Sequence, residues 1–142
     1  MNSKRIGNIG EAKVLAKFVE LGIPVYIPFG DNERADLIAE FNGLLNKIQV
    51  KTATGTNNGV IEFHLTSSTE HRKNGAIHKY SKDEVDYFAL YSLERDMVYL
   101  VPAPEEPMSV ICIRFEPSKN GQKNGIHMED DFLLENILDA KN

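Results

Sequence analysis

Asn42-Gly43 stands between two runs of alternating polarity, ADLIAEF (35–41) and LLNKIQVKTAT (44–54). Asn-Gly suits a two-residue turn in which both residues take positive φ, and the flanking runs then pair as antiparallel strands. Such a turn sets Phe41 against Leu44 and, counting back along both arms, Asp36 against Gln49. Lys51 lies two residues past Gln49 and so shares its face. Leu37, Ala39, Phe41, Ile48 and Val50 point the other way. One hairpin therefore commits the chain to a sheet with an apolar underside and gathers an acid, an amide and an amine above it.

The remaining pattern places this hairpin in an α+β domain. Asn8 to Leu21 has helical period, with Val14, Leu15, Phe18, Val19 and Leu21 on an apolar arc and Lys13, Lys17 and Glu20 opposite, and Gly22 to stop it. PVYIPF (24–29), VIEFHLTSS (60–68) and SVICIRFE (109–116) read as strands, and VDYFALYSLERDMVYLVPA (85–103) as strand, turn and strand. The acidic C-terminus reads as a short helix. No repeat or linker divides the sequence, so a single domain over 1–142 is expected.

The face carrying Asp36, Gln49 and Lys51 suits a divalent cation. A carboxylate and an amide carbonyl are hard oxygen donors of the kind Mg2+ accepts. A neighbouring lysine can orient a water or stabilise charge on a scissile phosphate. Glu11 is the candidate for a second acid, because it stands on the core-facing side of the helix, four residues before Leu15 and seven before Phe18. Asn8-x-x-Glu11 is equally the spacing of a capping box, and Asp36 with Lys51 that of a surface ion pair.

Charge and cysteine content bound the partners. The net charge is −5, yet residues 1–82 carry 11 Lys and Arg against 8 Asp and Glu, whereas residues 83–142 carry 5 against 13. The basic half can face a phosphate backbone. His71, Arg72, Lys73, His78, Lys79 and Tyr80 cluster after a strand; with Ser67, Ser68 and Arg34 they form the candidate DNA-contact set. Cys112 is the one cysteine, which excludes disulfides and paired-cysteine metal sites. No apolar run approaches the ~18 residues of a membrane span. The N-terminus lacks the apolar core of a signal peptide, and a cytoplasmic protein is expected.

The order helix Glu11, strand Asp36, then Gln49-x-Lys51 resembles the PD-(D/E)XK nuclease superfamily. The stretch GNIGEAKVLAKFVELGIPVYIPFGDNERADLIAEFNGLLNKIQVKTA resembles in particular its group I intron-associated, cyanobacterial-type homing endonucleases. VYLVP and KNGQKNGI extend the resemblance over most of the chain. It implies a restriction-endonuclease-like core, with a central mixed, largely antiparallel sheet flanked by helices. It also implies metal-dependent hydrolysis of double-stranded DNA. Asp36, Gln49 and the Val50 carbonyl would ligate Mg2+ (Mn2+ its natural substitute), Glu11 would complete the site, and Lys51 would assist the attacking water. Ala35 replaces the Pro of the motif name, and Gln49 replaces an acid, as in the intron-associated branch. Cutting two strands calls for paired sites, so a homo-oligomer, dimer or tetramer, is expected. A junction-resolving nuclease and a non-cleaving DNA-binding module use the same residues and remain as alternative readings.

Overall fold

The structure is a computed structural model that describes residues 1–30, 34–68, 77–79, 83–117 and 127–139. It opens on helix α1 (Ser3–Glu20), which starts five residues before the periodicity suggests. Asn2 is the N-cap, its side-chain oxygen accepting the N–H of Arg5 at 2.9 Å, so Asn8 lies inside the helix and the Asn8–Glu11 capping box does not form. The helix ends as the sequence requires. Gly22 takes φ +77, its N–H donates to Val19 and that of Ile23 to Phe18, a closing pattern only a left-handed residue permits. The buried stripe is Gly10, Val14 and Phe18; Val19, placed by periodicity on the apolar arc, is exposed.

Strands β1 (Val25–Tyr26), β2 (Leu37–Phe41) and β3 (Leu44–Ala53) follow. β1 is shorter than PVYIPF suggests, and Ile27 and Phe29 beyond it are exposed. The hairpin register is the one the Asn-Gly turn dictates, Phe41 opposite Leu44 and Leu37 opposite Ile48, with Asn42 at φ 57 and Gly43 at φ 72. β4 (Val60–His64) and β5 (Thr66–Ser68) divide the expected fourth strand at Leu65, and β5 pairs with β6 (Ile77–Lys79). β7 (Tyr87–Ser92) and β8 (Met97–Pro102) form the expected strand pair, and β9 (Val110–Arg114), β10 (His127–Met128), α2 (Glu129–Phe132) and α3 (Leu134–Asp139) complete the elements.

The central sheet has the order β1-β2-β3-β7-β8. Its pairings are antiparallel except β3 with β7, which run parallel from Ile48–Tyr87 to Ala53–Ser92. Two apolar layers result. On one face Leu37, Ala39, Phe41, Ile48, Val50, Ala89, Tyr91 and Leu100 pack against Val14 and Phe18 of α1 and Leu134 and Leu138 of α3. On the other, Phe88, Leu90, Tyr99 and Val101 meet Ile61, Phe63, Ile111 and Ile113. There the cover is a second sheet, β10-β9-β4, rather than a helix. Alternation explains both layers, since each strand offers every second side chain to one side.

Asn46 is a polar residue within the first layer's strands. It is 6% exposed, and its amide N–H groups donate to the carbonyls of Ala39, Phe41 and Leu44 at 3.2, 3.3 and 3.1 Å, tying the hairpin turn to both arms. Replacing it by alanine strands these acceptors. We expect Asn46→Ala to lower unfolding free energy by about 1–3 kcal/mol in urea titration without altering the far-ultraviolet circular dichroism spectrum.

Candidate active site

The β2–β3 ladder ends at Leu37–Ile48, but β3 runs on to Ala53 with only β7 beside it. Asp36 closes this step in the sheet. Its backbone N–H donates to Ile48 O at 2.8 Å, so it leaves the ladder instead of pairing with Gln49, and its Oδ2 accepts the N–H of Val50 at 2.9 Å. A strand residue's N–H and C=O point to the same edge, so the Val50 carbonyl opens beside this carboxylate. Gln49 and Lys51 extend from the face of β3 opposite to Ile48 and Val50.

Glu11 reaches the same place from α1, close enough to Asp36 for hydrogen bonding between the two carboxyls to shift the titration of both. Two carboxyl groups can share such a bond only if one keeps a proton. Burial, then the Asp36 charge, then the shared hydrogen bond push Glu11 up to about 7. Burial also raises Asp36, opposed by the Val50 N–H, by the bond to Glu11 and by the Lys51 charge. Asp36, with three groups favouring its anion, is the charged member of the pair and Glu11 the proton holder. Lys51 is lowered by burial and partly restored by Asp36, and its Nζ donates to the carbonyl of Thr66 at 3.5 Å.

Gln49 is 8% exposed, yet its Oε1 has no hydrogen-bond partner among the described residues. A buried amide oxygen left unpaired costs about 1–3 kcal/mol, which a cation would offset. Among the described residues no three His, Cys, Asp or Glu side chains converge. The donors are instead two carboxyls, one amide oxygen and one strand carbonyl, all hard oxygens that fit a divalent ion of the magnesium type. A bound cation would take the place of the proton held between Glu11 and Asp36.

The DNA-contact candidates are only partly described. The Arg34 guanidinium faces the Glu84 carboxylate at 3.3 Å, so its charge is already matched. Ser67 and Ser68 lie in β5, and His78 and Lys79 in β6, where their backbones pair. His71, Arg72, Lys73 and Tyr80 fall outside the described residues. The sequence reading did not find Thr66, which acts through its backbone, nor Glu84. A groove between α1, the β7–β8 turn and α3, lined by Lys13, Lys17, Tyr91, Asp96 and Glu135, contains none of the candidate residues. Its charges are matched internally, with Lys13 at 3.3 Å from Asp96 and Lys17 at 3.7 Å from Glu135.

A sequence model of the PD-(D/E)XK endonuclease family matches residues 1–135. The chain belongs to this family. Endonuclease chemistry on DNA is the activity of such proteins, and divalent metals are their usual cofactors. Among solved structures, the bacterial homing endonuclease I-Ssp6803I superposes with a TM-score of 0.70 at 22% identity, covering 87% of this chain and 84% of its own. That superposition shows the restriction-endonuclease-like fold. MepB aligns at 16% identity with a TM-score of 0.42, over 80% of this chain and 85% of its own. No curated protein matches. No helix among the described residues is long and apolar enough to cross a membrane.

The shared proton makes stability depend on pH in a definite direction. Glu11 binds its proton more tightly in the folded protein than in the unfolded chain, about 7 against an ordinary 4.5. Its contribution is therefore full below pH ~4.5 and is lost as pH rises through ~7. Asp36, also raised, acts in the same sense. We expect urea titration of the metal-free protein to give roughly 1–2 kcal/mol more stability at pH 5 than at pH 8 from this pair, discounted for Glu11's solvent contact. Glu11→Gln should flatten that slope.

Proposed function

We propose that this chain is a sequence-specific, Mg2+-dependent endonuclease of double-stranded DNA, of the intron-associated homing type, acting inside the cell as one nuclease domain. The observation that carries this reading is the Glu11–Asp36 carboxyl pair, set beside Lys51 and an unpaired Gln49 oxygen at the step between β2 and β3. An ion pair on a surface needs neither a second carboxyl nor an orphaned amide. A cation site needs both.

On this reading Asp36, Gln49 Oε1 and the Val50 carbonyl would hold the cation, and Glu11 would join them as a carboxylate. The cation supplies positive charge against the scissile phosphate and acidity to a neighbouring water. Asp36 requires no reorganisation, because the Val50 N–H already fixes its carboxylate. Lys51 hydrogen-bonds the attacking water and steadies charge on the phosphate; its lowered pKa brings proton exchange nearer to neutrality than for a free lysine. Gln49 contributes oxygen without charge, so the site carries one negative charge fewer than a fully acidic motif.

The β5–β6 ribbon follows the Thr66 carbonyl that receives Lys51. Ser67, Ser68, His78 and Lys79 on it, with Arg34, His71, Arg72, Lys73 and Tyr80, are proposed to meet the duplex. Two strands require two centres, and a dimer or a dimer of dimers provides them.

The test is cleavage of a sequence-diverse duplex library with Mg2+, read by end sequencing. Wild type should leave ends that share one sequence, and chelation by EDTA should abolish them. Lys51→Ala should lower cleavage by at least ~1000-fold while shifting unfolding free energy by less than ~1 kcal/mol. Normal cutting by that variant would overturn the mechanism. If the library stays uncut while four-way junctions are cut, the enzyme is a resolvase; metal-independent binding without products identifies a DNA-binding module.

A further inference from the structure

Gly10 occupies an interior position of α1, where glycine is less favourable than alanine because its backbone loses more freedom on folding. It is buried, and a Cβ built on it would run into the hydroxyl of Thr52 on β3, with Thr52 Cβ at 3.2 Å and Cγ2 at 3.5 Å. The helix thus lies closer to the Thr52 side chain than a side chain at position 10 allows unless that threonine moves. Gly7, one turn earlier, has nothing within 4 Å of the same construction. The two helical glycines therefore differ: one has open space around it, the other sits in a contact that admits a methyl only if Thr52 shifts.

The contact is placed next to the site on both elements. Gly10 directly precedes Glu11. Thr52 directly follows Lys51, and lies two residues from Val50, whose N–H holds Asp36. Thr52 Oγ1 is buried and has no hydrogen-bond partner among the described residues, so its role there is one of shape rather than of bonding. The stripe Gly10, Val14, Phe18 seats the rest of the helix on Val50, Ala39 and Phe41, and the Gly10 end sets how far Glu11 stands from Asp36.

The geometry points to Gly10 and Thr52 as positioning residues for the metal site: their close crossing sets the approach of Glu11 to Asp36 and thereby the affinity of the site for a divalent cation. This rests on the nuclease reading above. Neither residue touches the cation or the DNA. A helix displaced by even a fraction of a methyl's width carries Glu11 away from its partner, and supporting contacts of this kind are worth roughly 10–100-fold in metal affinity.

The experiment compares wild type with Gly10→Ala, Gly7→Ala and the double variant Gly10→Ala/Thr52→Ala. Electron paramagnetic resonance titration with Mn2+ reads binding directly, and Mg2+-dependent cleavage and circular dichroism melting are followed in parallel. Gly10→Ala, still folded at the assay temperature, is expected to raise the Mn2+ half-saturation about 10–100-fold. Gly7→Ala makes the same chemical change in open space and should leave half-saturation unchanged. Removing the Thr52 hydroxyl and methyl leaves only its Cβ at 3.2 Å, a contact still tight by a few tenths of an ångström, so the double variant should regain most of the affinity that Gly10→Ala loses. A merely structural role would lower the melting temperature of Gly10→Ala and leave Mn2+ binding by the folded protein intact, which would overturn the inference. So would a folded double variant that stays defective, or an equal loss in Gly7→Ala. Should Gly10→Ala fail to fold, Thr52→Ile widens the same crossing from the strand side, with the same expected loss and the same contrary result. A wild-type protein that neither binds Mn2+ nor cuts DNA would instead overturn the nuclease reading on which the inference stands.

Discussion

The hydrogen bond from Val50 N–H to the Asp36 carboxylate is the contact around which the site is arranged. It exists because β2 stops at Leu37 while β3 continues, leaving an edge of strand with donors and acceptors to satisfy. Asp36 satisfies one of them with its side chain and, in doing so, fixes a carboxylate against the backbone. Glu11, Lys51 and the Val50 carbonyl are then each defined by their relation to that group. The site is therefore a consequence of unequal strand lengths in an otherwise regular hairpin.

Its electrostatics follow from crowding acids against each other with the Lys51 amine beside them. Two half-buried carboxyls and a half-buried lysine do not reach a neutral, fully paired arrangement, and the pair keeps a proton to lower its charge. The Gln49 oxygen, unpaired in the same strand, adds a further unmet demand. The deficit is of positive charge and of oxygen-seeking character, which is the specification of a hard cation.

Much of this was legible in the sequence because it depended on local chemistry. Asn42-Gly43 dictated the turn, the turn dictated the register, and the register put Gln49 and Lys51 on one face. Gly22 marked the helix end for the same reason, through the backbone conformation it alone takes without strain. What was not legible depended on distance in the chain. Asp36 leaves the ladder because its side chain, not its backbone, holds Val50. Asn2 rather than Asn8 caps α1, since a polar residue inside a helix and one at its cap look alike until the buried stripe is known. Periodicity put Val19 inward, but α1 rests on the sheet along Gly10, Val14 and Phe18, a narrower line than the apolar arc. Lys51 meets the carbonyl of Thr66, a partner that no side chain announces.

The parallel pairing of β3 with β7 carries a consequence of another kind. The chain leaves β3 at Ala53 and returns at Tyr87, beside Ile48 at the other end of the same ladder, so residues 54–86 form a crossover that connects opposite ends of two neighbouring strands. The entropic cost of closing a loop grows only slowly with its length, by about 0.6 kcal/mol for each doubling. Added length between the strands of that crossover therefore weighs little on the stability of the sheet, whereas Ile61, Phe63, Leu65 and Val85 within it belong to the second core layer. Glu11, Asp36, Gln49 and Lys51 all lie before it in the chain. A lineage bearing this fold can extend the loops of the crossover while inheriting the candidate site residues unchanged.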